Sequence, residues 1–374
     1  YGRKSGSLPS HLLQFSSDKK PVVVWNVGRR CNLHCVHCYS QSHDERYSGE
    51  LNHDEGARLI DDLSDFGVPV LLFSGGEPLM RPDIFELIQR ARGKGMRAVI
   101  STNGTLISRE VAEKLKDCGL SYVGVSLDGL EETNDRFRGV KGAFDLALGG
   151  IRTCQSLGIK VGLRFTINRR NVADVPGIFK LIESEGIPRV CFYHLVYAGR
   201  GTKLVQDELS HDKSRETVEF IMSEARRLHA VGKATEVLTV DNHCDGPYLY
   251  MKLLAENHER AANVLELLKM NGGNSSGIGI GCVSWDGAVH PDQFWRHHEC
   301  GNVRKTPFSK IWGEPTDPLL AQLRNRKPLL KGRCGRCKWL DVCNGNFRVR
   351  AEAVTGDVWG EEPACYLTDK EIGI

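Results

Sequence analysis

The first half of the chain alternates short apolar runs with longer segments in which apolar residues recur every three or four positions. The runs are rich in β-branched and aromatic residues and lie at 22–27, 70–73, 97–101, 122–126, 160–165 and 189–194. Amphipathic patterns typical of helices lie between them at 53–66, 83–94, 108–118, 143–157 and 175–185. Mostly apolar strands that alternate with helices predict a parallel sheet covered by helices. Six units are too few for a closed eight-fold barrel, so we expect a partial barrel or an open sheet, with ligands at the carboxyl ends of the strands.

The pattern changes after residue 201. Two longer helical stretches at 210–229 and 247–270 follow, without a clear strand between them, and the glycine-rich stretch 272–281 suggests a flexible connection. A hairpin with its turn at Asp286-Gly287 and a helix at 308–312 are expected beyond it. These shifts predict an N-terminal extension (1–20), a partial barrel (21–205), a helical connecting region (206–276) and a small cysteine-bearing domain (277–374).

Composition narrows the class of protein. The 374 residues include 50 basic and 47 acidic side chains, and this near balance disfavours nucleic acid as the main partner. No apolar run reaches the roughly 18 residues of a membrane span, and the N-terminal residues contain no signal-peptide core. We therefore expect a cytoplasmic protein.

The 13 cysteines are unusual for such a protein, because a reducing compartment disfavours disulfides. Cys31, Cys35 and Cys38 form a CxxxCxxC pattern in the loop after the first strand. Structural zinc sites have four ligands, and cubane iron–sulfur clusters usually take four thiolates. Three thiolates in one loop therefore predict a metal centre with one position open to a small molecule. The alternative is a zinc site completed by His34 or His37.

CxxxCxxC directly after the first strand of a β/α sheet is the signature of the radical SAM superfamily, which this sequence resembles. The resemblance implies a [4Fe-4S] cluster on these three cysteines, with S-adenosylmethionine (SAM) on the fourth iron and a 5′-deoxyadenosyl radical as the reactive species. Further motifs, GGEP, STNGT, VSLDG and DRFRG, follow the next strands in the order that the superfamily shows. Residues of these types are also common in turns, but their order after successive strands favours the resemblance. The SAM-binding residues that it implies are His37, Gly75, Gly76, Glu77, Pro78, Asn103, Ser126, Asp128 and Arg138.

A second group of cysteines lies near the C-terminus. Cys334, Cys337 and Cys343 have CxxCxxxxxC spacing, and Cys365 follows. A zinc ribbon is the alternative on spacing alone, but the region resembles the SPASM extension of radical SAM enzymes. This resemblance implies an auxiliary [4Fe-4S] cluster with four protein thiolates, which would serve electron transfer.

The fold that the two resemblances imply is a partial (β/α)6 radical SAM barrel with a C-terminal SPASM/twitch-like iron–sulfur domain. A complete SPASM extension carries a second auxiliary cluster, whose expected cysteines are replaced here by Asp292 and Phe347. Cys282 and Cys300 then look like remnants, so we expect two [4Fe-4S] clusters in total.

Candidate substrate residues are mainly arginines, whose guanidinium groups suit carboxylates. Arg164 projects from the fifth strand, where a salt bridge within the sheet or a SAM contact is the alternative. The other candidates are His194, Tyr197 and Arg200 after the sixth strand, and Arg348 and Arg350 near the second cysteine group. His290, His297 and His298 could ligate a metal in a substrate, although exposed loop histidines usually have no such role.

The segments WNVGRRCNLHCVHCYS, YHLVYAGRG, GGNSSG, CNGNFRVR and ACYLTDKEIGI together resemble the NirJ family of heme d1 biosynthesis. That resemblance implies didecarboxysiroheme, an iron tetrapyrrole, as substrate, removal of two propionate side chains, and an electron donor such as ferredoxin or flavodoxin. One alternative is a sister enzyme of the alternative heme pathway, which removes acetate groups or oxidatively decarboxylates propionates. Another is a SPASM-type peptide maturase, disfavoured because only about 20 residues precede the first strand. A third alternative is a non-enzymatic zinc or electron-transfer protein, which is disfavoured because neither role needs the SAM-binding motifs.

Overall fold

One sheet runs through the part of the protein that the computed structural model describes, residues 20–374. Its strands are β1 (Val22–Asn26), β2 (Val70–Ser74), β3 (Arg97–Thr102), β4 (Tyr122–Ser126), β5 (Val161–Ile167), β6 (Arg189–His194), β7 (Glu236–Val240), β8 (Ile280–Val283), β9 (Ala288–His290) and β10 (Gly301–Asn302). The spatial order is β10-β9-β8-β1-β2-β3-β4-β5-β6-β7. All neighbours from β8 to β7 are parallel, and β9 and β10 form antiparallel pairs at one edge.

The helices pack against this sheet and continue into the C-terminal region. They are α1 (His53–Asp65), α2 (Ile84–Gly93), α3 (Arg109–Asp117), α4 (Glu131–Arg138), α5 (Ala143–Ser156), α6 (Val175–Ser184), α7 (His211–Ala230), α8 (Asp245–Ala255), α9 (Ala261–Asn271), α10 (Phe308–Gly313), α11 (Pro318–Arg324), α12 (Gly332–Arg336), α13 (Leu340–Cys343), α14 (Arg348–Thr355) and α15 (Asp369–Ile372). Local sequence explains several ends: Asn52 and Glu55 form a capping box at the start of α1, and Gly67 just beyond its end has a positive φ of 88°.

The main core lies between the central strands and the helices that cover them. Trp25, Phe73, Phe165 and Phe192 are fully buried there. A Cβ at Gly56 would come within 2.7 Å of the Trp25 indole, so a glycine in α1 lets this helix lie close to β1. The apolar runs of the sequence are therefore buried strands, and the polar residues that follow them lie at the carboxyl edge of the sheet.

The six predicted strands and the helices between them are confirmed, and three later expectations are wrong. A strand, β7, lies between α7 and α8 and pairs with β6. The stretch 247–270 is two helices separated at 256–260. The glycine-rich stretch is not a loose connection, because Ile280–Val283 at its end pairs with β1 and Gly277 packs on Leu320 and Leu323.

Strand β8 places the C-terminal region directly beside the first strand of the barrel. The sheet thus crosses the boundary predicted at residue 277, and the four predicted regions stay a prediction. The N-terminal extension lies outside the described residues except for residue 20. Within residues 20–374, no helix has the length and apolar character needed to cross a membrane.

Candidate active site

The loop that follows β1 carries Cys31, Cys35 and Cys38, of which the first two are buried. Backbone hydrogen bonds hold this loop against the end of β2: the Gly76 N–H donates to the Gly28 carbonyl and the Glu77 N–H to the Arg30 carbonyl, both at 2.9 Å. The loop is therefore fixed in place by the GGEP segment.

Close approach between these two backbones requires the two glycines of that segment. Gly75 has a φ of 125°, and a Cβ there would lie 2.4 Å from the Gly28 carbonyl oxygen. A Cβ at Gly76 would lie 2.2 Å from the Arg30 carbonyl oxygen. No larger side chain fits at either position without moving the cysteine loop.

Glu77 connects the same segment to the end of β3. Its carboxylate accepts hydrogen bonds from the Thr102 hydroxyl at 2.7 Å and from the Asn103 N–H at 2.8 Å. Burial raises the pKa of Glu77. Both carboxylate oxygens are thus engaged with the protein, and Asn103 also contacts the cysteine loop, with its amide 2.8 Å from the Asn32 side-chain oxygen.

A cavity of about 780 Å³, including its mouth, opens at the carboxyl ends of the strands. It brings together six of the residues predicted from the sequence: His37, Ser126, Asp128, Arg138, Arg164 and His194. It also contains residues that sequence reasoning missed, among them Tyr39, Tyr193, Asp241, Gln293 and Phe294. Strand-end position was a usable signal for Tyr193, whereas Asp241 follows a strand that was not predicted.

The wall of the cavity next to the cysteine loop is polar and incompletely satisfied. Arg138 forms an ion pair with Asp128, and its guanidinium lies 3.5 Å from the Cys35 sulfur. Burial lowers the pKa of His37 to about 4, so its imidazole is neutral. Within the described chain, His37 Nδ1 and Arg138 Nε are buried without a hydrogen-bond partner. Orphaned buried groups of this kind fit a polar ligand such as SAM at this wall.

Burial favours the neutral thiol at two of the three cysteines of the loop. Burial, and then the charge of Glu77, raise the pKa of Cys31 to about 12, and burial also raises the pKa of Cys35. Such thiols become thiolates when a cation replaces their protons. The donor set and its surroundings therefore fit an iron–sulfur cluster with one open position.

The opposite wall contains a cation without a carboxylate partner. Arg164 donates to the Ser101 hydroxyl at 2.6 Å and forms no ion pair with any residue in 20–374. A Cβ at Gly124 would lie 2.4 Å from its Nε, so the glycine makes room for the guanidinium. This arrangement leaves Arg164 free to bind an anion inside the cavity.

Two carboxylates near this wall differ in charge state. Burial raises the pKa of Asp241, which follows β7 with a φ of 67°, to about 7. His194 Nε2 lies 2.9 Å from Asp245. Burial disfavours protonation of His194, but the Asp245 carboxylate outweighs it and raises the pKa of the imidazole. The cavity is thus lined by His194, whose protonated form is favoured by Asp245 behind it, and by an aspartate that titrates near neutral pH.

The structure does not bring four predicted substrate residues into this cavity. The Tyr197 hydroxyl donates to Glu208 at 2.9 Å, and Arg200 donates to the carbonyls of Cys35 and Ser42. Arg200 therefore braces the cysteine loop.

Arg348 and Arg350 are fully buried. Arg350 donates to Glu362 at 2.5 Å and to two carbonyls, and Arg348 donates to the carbonyls of Val358 and Gly360. These two side chains have no face open to a substrate, which corrects their predicted role.

The second group of cysteines converges on one space, and its role as a ligand set stays a prediction. Cys334, Cys337, Cys343 and Cys365 line one cavity of about 420 Å³. Burial raises the pKa of Cys343 well above its usual range. Four thiols around one space match the ligand set of a closed cubane cluster.

Asp292 and Phe347 stand where a second auxiliary cluster would have cysteine ligands, and both contact other residues of the chain. Asp292 is buried and accepts hydrogen bonds from the Ser276 hydroxyl and from the Phe294 N–H. The Phe347 ring packs edge-on against Phe294. The Cys282 sulfur lies 3.4 Å from the Asn26 amide. Hydrogen-bonded and aromatic packing thus occupies this region.

Three histidines noted in the sequence are also engaged within the chain. His290 contacts the Ser284 hydroxyl at 2.9 Å, and His297 pairs with Glu352 at 2.7 Å. His298 lies 2.9 Å from Asp317, beside Cys300. None of them lines the cavity that holds Arg164.

Comparison with known proteins agrees with this geometry. A radical SAM superfamily model matches residues 25–182, and the SPASM iron–sulfur cluster-binding domain matches residues 280–338. The chain is 70% identical to an Fe-coproporphyrin III synthase of Methanosarcina barkeri, across 100% of this chain and 94% of that protein. It is 44% identical to a pre-heme d1 synthase of Dinoroseobacter shibae, across 95% of this chain and 88% of that protein.

Solved structures share the fold. The Streptococcus suis protein SuiB bound to its precursor peptide SuiA superposes with a TM-score of 0.74 at 18% identity, over 96% of this chain and 78% of that one. The SAM-bound protein anSMEcpe gives a TM-score of 0.70 at 18% identity, over 94% of this chain and 96% of that one. The cofactors of such proteins are SAM and [4Fe-4S] clusters. The chain therefore belongs to the radical SAM superfamily, has a SPASM domain, and is a member of its heme-synthesis enzymes.

Proposed function

We propose that this enzyme removes acetate side chains from an iron tetrapyrrole, didecarboxysiroheme, to give Fe-coproporphyrin III. The observation that carries the proposal is the 70% identity with an Fe-coproporphyrin III synthase along the whole chain. This similarity favours the sister-enzyme alternative of the sequence analysis over the heme d1 assignment. The unpaired Arg164 in the cavity supports a substrate with carboxylate side chains.

The residues of the first loop have a defined part in this proposal. Cys31, Cys35 and Cys38 would hold the [4Fe-4S] cluster, and the segment 75–78 with His37 and Arg138 would hold SAM. When bound, this pair of cofactors supplies a 5′-deoxyadenosyl radical that takes a hydrogen atom from a substrate side chain. The GGEP backbone fixes the cysteine loop, and Arg200 braces it from the other side.

The opposite wall would position the reacting side chain. Arg164 would bind its carboxylate, because a guanidinium recognises a carboxylate through two parallel hydrogen bonds. Asp241 is uncharged below about pH 7 and then does not repel that carboxylate.

The second cysteine group would hold the auxiliary cluster. Since all four of its thiols face one cavity, its irons would have no position for a substrate. Electron transfer is therefore its proposed role. A ferredoxin or flavodoxin stays the predicted electron donor.

A second candidate is the heme d1 reaction, removal of two propionate side chains from didecarboxysiroheme. The 44% identity with a pre-heme d1 synthase over 95% of the chain favours it. Both reactions need a tetrapyrrole carboxylate beside the radical, so the pocket residues alone do not separate them.

Product mass separates the two reactions. Anaerobically reconstituted enzyme is incubated with SAM, a reductant and didecarboxysiroheme, and the tetrapyrrole is analysed by mass spectrometry. Loss of two acetate groups is expected, whereas loss of propionates would transfer the assignment to the heme d1 reaction. An unchanged tetrapyrrole alongside 5′-deoxyadenosine formation would contradict both.

Variants give the matched controls for this experiment. Arg164→Gln should lower the yield of product, because the side-chain carboxylate loses its partner. Arg152→Gln, at an exposed ion pair with Glu185, should behave as the wild type.

A further inference from the structure

Two arginines outside the cavity lie on the same tryptophan. The guanidinium carbon of Arg296 is 4.1 Å from the ring centroid of Trp285, and that of Arg29 is 5.2 Å from it. Arg29 belongs to the loop that precedes Cys31, and Trp285 lies in the turn between β8 and β9. The C-terminal region and the cysteine loop therefore join at this pair of cations.

Both guanidiniums use few of their hydrogen-bond donors. Arg29 Nη2 donates to the Gln41 carbonyl at 3.4 Å, and Arg296 Nη1 donates to the Tyr39 carbonyl at 3.2 Å. The Nε of each is buried without a partner among residues 20–374, and neither forms an ion pair there. A guanidinium has five N–H donors, so most of them are unused.

No carboxylate of the described chain compensates these charges. Glu50, the acid next to Arg29, accepts from the Arg29 backbone N–H at 2.7 Å. Burial, and then repulsion from Arg29, lower the pKa of Arg296. The Trp285 ring, which both guanidiniums contact, is a weak partner for a cation, so a carboxylate that reaches either arginine gains a charge-assisted hydrogen bond.

The position of the pair relates it to the substrate. Arg296 lines an open groove of about 980 Å³. Gln41, His297 and Glu352 also line it, and the Glu352 carboxylate is paired with His297. Arg29 reaches this groove through Gln41, whose carbonyl accepts from its guanidinium. Tyr39 and Phe294 line both this groove and the inner cavity. The two rings, 5.7 Å apart, thus form a wall that the two spaces share.

We propose that Arg29 and Arg296 form a carboxylate-binding site that holds the peripheral carboxylates of the tetrapyrrole outside the cavity, while Arg164 binds the reacting side chain inside it. This inference rests on the proposed function, because it takes a polycarboxylate macrocycle as the ligand. A macrocycle with carboxylates on several sides needs cations in more than one place. Of the other arginines near the two cavities, Arg138 and Arg350 are paired with carboxylates. Arg200 donates to two carbonyls of the cysteine loop and is held there, although its Nη2 has no partner among the described residues.

Binding of Fe-coproporphyrin III to the cluster-loaded enzyme, followed by its absorbance, tests the site directly. Arg29→Gln and Arg296→Gln should each raise the Kd about tenfold, the loss expected for one charge-assisted hydrogen-bonded contact. Arg296→Lys should retain part of the affinity, since it keeps the charge and loses the paired donors. Arg152→Gln, remote and exposed, is the matched control and should bind as the wild type does.

The tetramethyl ester of the same tetrapyrrole separates carboxylate recognition from stacking and from misfolding. The wild type should bind the ester at least tenfold more weakly, and the Gln variants should weaken ester binding no further. Iron content and thermal midpoint of each variant check that the cysteine loop is intact. Equal binding of acid and ester by the wild type would overturn the site without any variant.

The failures of the two proposals are distinguishable. If the wild type binds neither Fe-coproporphyrin III nor didecarboxysiroheme, the proposed function fails. If it binds and converts the substrate, but the Gln variants bind the acid as tightly as the wild type, this inference alone is wrong.

Discussion

Gly76→Ala is a direct test of how the GGEP segment holds the cysteine loop. The new Cβ would lie 2.2 Å from the Arg30 carbonyl oxygen and 2.6 Å from the Arg29 carbonyl oxygen. Non-bonded heavy atoms settle near ~3.5 Å, so the loop must move by roughly 1 Å. Both neighbours are backbone atoms that cannot rotate away.

The cost can be estimated from two contributions. Overpacking of a closed interior costs about 1–3 kcal/mol, and a weakened Gly76 N–H bond to the Gly28 carbonyl adds about 1 kcal/mol. We expect a loss of about 2–4 kcal/mol in the free energy of unfolding. Iron should fall from about eight to about four per chain, because the auxiliary cavity is remote from the change.

Anaerobic unfolding, iron analysis and 5′-deoxyadenosine formation measure the three consequences. Gly149→Ala is the matched control: the residue lies within α5, and no heavy atom comes within 4 Å of its added Cβ. It should stabilise the helix by about 1 kcal/mol and leave the iron content unchanged. A Gly76→Ala protein with full iron, full 5′-deoxyadenosine formation and wild-type stability would refute the close-approach argument.

Three further predictions concern the two cavities and the interior. Burial raises the pKa of Asp241 to about 7, so its carboxyl becomes charged as the pH rises through neutrality and then repels a substrate carboxylate. The KM of the wild type should therefore rise between about pH 6 and about pH 8, whereas that of Asp241→Asn should stay constant. Parallel pH profiles of the two proteins would contradict this role. Arg350→Met removes the near partner of the buried Glu362 and leaves only Arg348, 4.0 Å away, so it should cost about 3 kcal/mol in urea unfolding. Arg152→Met, at an exposed pair, should cost under ~1 kcal/mol, and equal costs would be evidence against a buried brace. Cys343→Ala removes one of the four thiols around the auxiliary cavity. The iron content should fall to about four per chain, while SAM cleavage in the absence of substrate should persist. An unchanged iron content would show that Cys343 is not a ligand.

The sequence predicted the central fold well because its strands are mostly apolar and largely buried. Apolar runs such as those that became β2 and β6 have no other stable environment in a protein of this composition. Strand β7 escaped prediction because it is an edge strand, Glu236–Val240, whose residues are all partly exposed. Its short alternation of polar and apolar residues gives a much weaker signal than a buried run.

The glycine-rich stretch was misjudged for a related reason. Glycines suggest flexibility when they are considered locally, but Gly277 and Gly281 here face Leu323 and the Trp312 ring at close range. These contacts are with residues more than 30 positions away in the chain. They need glycine because a larger side chain would collide, and not because the segment is mobile. Long-range contacts of this kind are outside the reach of a local pattern.

The cysteine sets were predictable because their chemistry is encoded in spacing, and the structure brings Cys334 and Cys365 to one cavity although 30 residues separate them. The arginines were only partly predictable: Arg138 and Arg164 line the cavity as expected, but Arg200, Arg348 and Arg350 could not be told apart from them, since every arginine has the same five donors in the sequence. What separates them is the number of donors that the fold has already used. Arg350 donates to a carboxylate and two carbonyls and is a brace, whereas Arg164 has one hydroxyl partner inside the active cavity. A guanidinium that is partly buried and has spare donors is unfavourable unless an anion arrives, so unused donors that face a cavity are the reason why we propose Arg164 as a substrate-binding residue.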